Sequence, residues 1–131
     1  CLDCHKEGEK GFEAAGKIHA ELAGLSTTYA NAVAAQDEVR RIGMDDVDIG
    51  FMLQDAHQSL IQARTLVHTF DPARVKTTTD EGARKATEAL EAAAAQVRDF
   101  HARRRGFGMA TLFTTVLVIA LFLRIRQIES R

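Results

Sequence analysis

Two cysteines and a histidine stand together at the start of the chain, Cys1, Cys4 and His5, in the run CLDCH. They include the only two cysteines of the sequence. A C-x-x-C-H run has a specific chemistry. Its two thiols add across the vinyl groups of a haem to leave thioether links, and the adjacent imidazole is set beneath the iron as proximal ligand. The two intervening residues fix the reach between the thiols, so the spacing is part of the chemistry. At ordinary Cys and His usage, a chance match in a chain of this size is on the order of one in a thousand. Cys1 and Cys4 are therefore expected to attach haem c covalently, with His5 on its iron.

Three other chemistries use the same residues. A redox dithiol wants a βαβ context, and no segment here patterns as a strand. A zinc ion could take Cys1, Cys4 and two of the other histidines, although structural zinc usually shows paired ligands at both ends. A disulfide between Cys1 and Cys4 would close a very small ring of little structural value.

These residues must be positioned by helices. The chain is rich in Ala, Leu, Glu, Arg and Lys, has one Pro and no Trp, and is 46% hydrophobic with only 6% aromatic residues. Such a composition reads as helical. Residues 1–16 form the haem segment, loosened by Gly8, Gly11 and Gly16. The first helix is expected from about Phe12 to Ile42. Its seam is Ile18, Leu22, Leu25, Tyr29, Ala32, Gln36 and Val39, a heptad pattern, with Arg40, Arg41 and Gly43 as stop signals. The second is expected from about Asp46 to Phe70 along Ile49, Leu53, Ala56, Leu60, Ala63, Val67 and Phe70, capped by Asp45 or Asp46 and ended by Asp71-Pro72. The third is expected near Thr78, where Thr78-x-x-Glu81 fits a capping box, with the seam Ala83, Ala86, Leu90, Ala93, Val97 and Phe100. Comparable lengths and short turns imply an all-α antiparallel bundle of three arms over residues 17–105. The Ala-rich seams bury little area each, so a partner or a second copy would add stability.

From Gly106 to Leu123 run 18 residues without a charge, GFGMATLFTTVLVIALFL. At 1.5 Å per residue they span roughly 27 Å, close to the hydrocarbon thickness of a bilayer. Arg103, Arg104 and Arg105 precede the stretch, and Arg124 and Arg126 follow it, placed to snorkel to the two interfaces. A transmembrane helix over 106–124 is expected, continuous with the third arm, with a tail at 125–131. Gly106 and Gly108 mark the place for a bend. Flanking charge is nearly tied, so it does not orient the span. Attachment of c-type haem outside the cytoplasm would place the body in the periplasm and the tail in the cytoplasm.

The net charge of −1 hides a split. Residues 1–102 carry 11 Lys and Arg against 17 Asp and Glu, whereas residues 103–131 carry six Arg and one Glu. An acidic body argues against nucleic acid. It suits steering of a basic protein partner.

Four further histidines compete for the sixth iron position. If the first two helices turn near residue 44, His19 faces the neighbourhood of residue 69, beside His68, at the haem-bearing end. His19 is the first distal candidate and His68 the second. His57 falls level with residue 31, in mid-bundle. A turn back near residue 75 puts His101 level with residue 48, at the opposite end. Met44 and Met52 lie too far down the bundle to serve. The third arm would carry the chain about 40 Å from the haem before the span begins, which favours a relay role over direct exchange with membrane quinol.

On CLDCH, the helical arms and the apolar terminal stretch, the chain resembles the C-terminal portion of a membrane-anchored multihaem bacterial c-type cytochrome. The specific part of that resemblance is residues 1–5. It implies single-electron transfer through haem c with no enzymatic constellation, further haems upstream, redox partner proteins, and attachment to the inner membrane. A start on the motif's first Cys reads as a piece of a longer protein, with lipoprotein maturation as the other route to a leading Cys. The rival reading is a membrane-tethered signalling or scaffold module, suited by its heptads to homo-oligomerise, whose Cys/His motif binds sensor haem or zinc.

Overall fold

The computed structural model describes Gly8 and residues 10–69 and 71–130. Three helices account for nearly all of them: α1 at Lys10–Arg41, α2 at Val47–Leu66 and α3 at Pro72–Glu129, with a short 3-10 turn at Val67–Thr69 between the last two. No strand occurs among the described residues. The protein is all-α, with one long apolar C-terminal helix. Its contacts fall into two compact units that meet between Val97 and Arg98.

In the first unit the heptad positions become the core. Ile18, Leu25, Ala32, Gln36 and Val39 of α1 are buried, as are Ile49, Leu53, Ala56, Leu60 and Ala63 of α2. The hairpin between them turns through a Schellman motif. Met44 N–H donates to Val39 O at 3.1 Å and Gly43 N–H to Arg40 O at 3.0 Å, with Gly43 at φ 73°. That conformation costs a glycine no Cβ clash, and Met44 closes the motif by packing against the core that contains Val39. Tyr29 sits opposite His57, two residues from the level that turn counting assigns to His57.

The start of α3 differs from the sequence expectation. The helix begins at Pro72, not near Thr78, and the chain turns back near residue 70 instead of 75. Asp71 is the cap: its Oδ1 accepts Ala73 N–H and Arg74 N–H, each at 3.1 Å. Pro72 fits at the first helical position because no intrahelical partner awaits its missing N–H there. Asp71-Pro72 thus ends one helix and starts the next. Thr78 lies inside α3, and its hydroxyl donates to Arg74 O at 3.2 Å instead of capping anything. α2 likewise ends at Leu66, short of Phe70, where Thr65 and Thr69 hydroxyls bond the carbonyls three residues back.

The buried seam of α3 is Val75, Thr79, Gly82, Ala86, Ala89 and Ala93. It shares Ala86 and Ala93 with the expected stripe, but Gly82 and Ala89 replace Ala83 and Leu90 at the centre. Close approach is the reason. A Cβ on Gly82 would stand 2.8 Å from Ser59 Cβ and 3.0 Å from Leu25 Cδ2. The smallest residues therefore face α1 and α2, while Leu90 is only partly buried.

In the second unit every described residue from His101 to Ser130 is exposed. α3 is helical through Gly106 and Gly108. It is the one described helix long and apolar enough to cross a membrane, and none of its apolar window is buried.

Candidate functional site

Cys1, Cys4 and His5 lie outside the described residues, so the expected attachment and proximal ligation rest on the donor set alone. Two thiols at C-x-x-C spacing followed at once by an imidazole are the residues that thioether attachment of a haem requires.

The two distal candidates occupy defined places. His19 stands on α1 one residue after the buried Ile18, and its side chain is exposed. His68 stands in the 3-10 turn between α2 and α3, also exposed. The bundle's register brings their segments to one end. Lys76 Nζ of α3 lies 3.7 Å from Glu21 Oε1 of α1, so the residues that precede each belong to the same end of the first unit. Phe12, Leu66, Val67 and Pro72 are half-buried there.

The remaining histidines have other company. The His57 ring stacks on Tyr29 with centroids 5.6 Å apart and planes 28° apart, across α1 and α2. His101 meets Phe100, its neighbour in sequence, edge to face. Met44 and Met52 pack against the core. Among the described residues no group of three or more His, Cys, Asp or Glu side chains is placed to hold a metal ion.

A polar lock lies at the opposite end of the first unit. Gln36, at a core position of α1 and only 5% exposed, donates from Nε2 to Asp46 Oδ2 at 2.7 Å. Arg40 Nε donates to the same oxygen at 2.6 Å. Asp46 occupies the N-cap position of α2 but spends its carboxylate on α1, making no side-chain cap bond. Asp45 takes over part of that task by accepting Val47 N–H at 3.1 Å. Gly50 packs closely beside this lock, since a Cβ there would sit 3.3 Å from Gln36 Nε2. The sequence signal for the lock was a Gln on an otherwise apolar seam, about two turns before an Asp-bearing loop.

Ion pairs tie α3 to both partners. Lys85 Nζ lies 3.6 Å from Asp55 Oδ2 of α2. Lys76 pairs with Asp80 at 2.9 Å as well as with Glu21. The hydrogen bond and charge of Asp80, joined by the charge of Glu21, raise the Lys76 ammonium above its ordinary value of 10.5. These tethers are at least partly solvent-exposed and hold register more than they add stability.

Compared with protein-family models, with curated proteins and with solved structures, the chain finds no match.

Proposed function

We propose that the chain is a membrane-anchored c-type cytochrome module that passes single electrons in the periplasm. The observation that carries this reading is CLDCH, which takes up both cysteines of the chain. Cys1 and Cys4 would hold the porphyrin by thioether links and His5 would ligate the iron, with His19 or His68 on the opposite face. A haem so held exchanges one electron reversibly at its iron. Ligation by two imidazoles would favour a lower potential than His/Met ligation. The protein's part is to hold the ring, shield it and set its ligands.

Three further features support the reading. The only apolar stretch long enough to span a bilayer lies at the far end of the sequence from the motif, between clusters of Arg. The start of α1 and the α2–α3 turn share one end of the first unit, so His19 and His68 lie toward the end where α1 begins. The body is acidic, which suits a basic redox partner whose exchange rate falls as salt rises. In this reading the anchor lies in the inner membrane, the body faces the periplasm, the tail is cytoplasmic, and upstream haem domains supply or accept electrons.

A second reading is favoured by one observation. α3 runs unbroken from the core of the bundle into the apolar stretch, as in a tethered signalling or scaffold rod. In that case the motif binds sensor haem or zinc.

One experiment separates the two. The chain is matured in a host with periplasmic haem attachment, and its absorption spectrum is taken before and after acid–acetone extraction. A haem spectrum that resists extraction in the parent and is lost in Cys1→Ala/Cys4→Ala supports the cytochrome reading. An extractable haem, or stoichiometric zinc, overturns it in favour of the second. In the attached protein, His19→Ala or His68→Ala then identifies the distal ligand by conversion of a low-spin spectrum to high spin.

A further inference from the structure

We propose that Arg98, His101, Arg104 and Arg105 form a docking surface for the phosphate headgroups of anionic phospholipids, at the border between the bundle helix and the membrane span. The inference goes beyond electron transfer and does not depend on haem. It rests only on the anchor part of the reading above.

The argument begins with the placement of charge around α3. At about 100° per residue, Arg98, His101, Arg104 and Arg105 fall within roughly one third of the helix circumference. No acid shares that arc. The one nearby acid, Asp99, points to the other side, where it pairs with Arg103 at 2.7 Å. Arg103 is thereby neutralised, although sequence alone counts it as one of three equivalent arginines. What remains is a one-sided basic face, exposed along its whole length.

The level of this face is fixed by the next residue. The uncharged stretch starts at Gly106, so guanidinium groups at 104 and 105 stand where lipid phosphates stand. Arg is suited to them because its planar fork pairs two N–H donors with one phosphate. Below the arc, on the same side of the helix, come Gly108, Leu112, Thr115 and Ile119. The Thr115 hydroxyl is returned to Thr111 O at 2.8 Å, and Leu112 and Ile119 are exposed, so this side offers acyl chains an apolar surface with its hydroxyl satisfied. A Cβ on Gly108 would meet nothing within 4 Å. The bulky Phe107 and Phe113 lie on other sides. Charge complementarity above an apolar surface therefore points to one occupant, an anionic diacyl lipid with its phosphate on the Arg arc.

The full chain is incorporated into phosphatidylcholine vesicles with and without phosphatidylglycerol. Flotation tests insertion, and native mass spectrometry counts the lipids each chain retains. The parent is expected to float with both vesicle types and to retain phosphatidylglycerol preferentially. Arg98→Gln/Arg104→Gln/Arg105→Gln should lower that preference by about 100-fold, whereas Asp99→Asn/Arg103→Gln should keep it. Circular dichroism establishes that each variant remains helical. A parent that floats without lipid preference overturns the headgroup site and leaves the anchor standing, as does a preference unchanged in the triple variant. Failure to float with either vesicle overturns both.

Discussion

Gly82 of α3 lies directly against Ser59 of α2, so close that a methyl group on Gly82 would stand 2.8 Å from Ser59 Cβ. A real Cβ cannot occupy that position without moving a helix. Leu25 of α1 closes the same space from the other side at 3.0 Å. One glycine thus sets how tightly all three helices of the first unit approach one another.

Gly82→Ala should therefore destabilise the bundle, even though Ala is the better helix former. Overpacking costs about 1–3 kcal/mol against a propensity gain of about 0.5–1 kcal/mol. The measurement is the urea midpoint of the full chain. Ser59→Gly/Gly82→Ala removes the opposing Cβ and should recover part of the loss. A Gly82→Ala variant more stable than the parent would contradict the packing described.

The lock at the α1–α2 turn divides into a buried part and an exposed part. Asp46→Ala leaves the buried Gln36 amide with only its 3.5 Å contact to the residue-46 carbonyl and should cost about 1–3 kcal/mol. Arg40→Met removes ion pairs to Asp46 and Asp37 from an Arg side chain that is 57% exposed, and should cost no more than about 1 kcal/mol. Added salt should shrink the second loss and leave most of the first. Denaturant titration of both variants at low and high salt checks the distinction.

The first turn of α3 offers a direct comparison. Asp71→Ala removes the acceptor for two backbone N–H groups and should cost about 1 kcal/mol. Thr78→Ala, at the residue that a capping box would need, should stay within about 0.5 kcal/mol of the parent. Equal losses in the two variants would put the helix start in the wrong place.

The Lys76 tether predicts a small alkaline effect. Its ammonium is held above 10.5 in the folded chain by Asp80 and Glu21. A group raised on folding stabilises fully below its unfolded value and loses that contribution as pH climbs through the folded one. The difference in urea midpoint between the parent and Lys76→Met should therefore be constant at neutral pH and shrink only above about pH 10.5. A difference that grew with pH would reverse the assignment.

Much of this architecture was legible without coordinates. The heptad seams of α1 and α2 came through at most positions, with Leu22, Tyr29 and Val67 only partly buried and Phe70 outside the described residues, because burial in a helical hairpin follows a period that the sequence displays. The stop at Gly43 was equally visible, since a helix that ends in a left-handed residue favours glycine. The 18 uncharged residues after Arg105 reported their length and apolarity directly. The same holds for CLDCH, whose meaning is covalent spacing within five neighbours and needs no fold to be read.

What only the tertiary structure decided concerns groups with more than one local use. Asp71-Pro72 is an equally good end or beginning, and packing made it both. Asp46 could cap α2 or reach back to α1, and the buried amide of Gln36 claimed it. The stripe of α3 could run through Ala83 and Leu90 or through Gly82 and Ala89, two readings of one Ala-rich helix. Close approach to Ser59 and Leu25 selected the second, because steric exclusion between helices is absent from any one segment. Around Arg103 the same reason applies. Three consecutive arginines are equal in sequence, and the bond to Asp99 one turn earlier left a basic face on the opposite side.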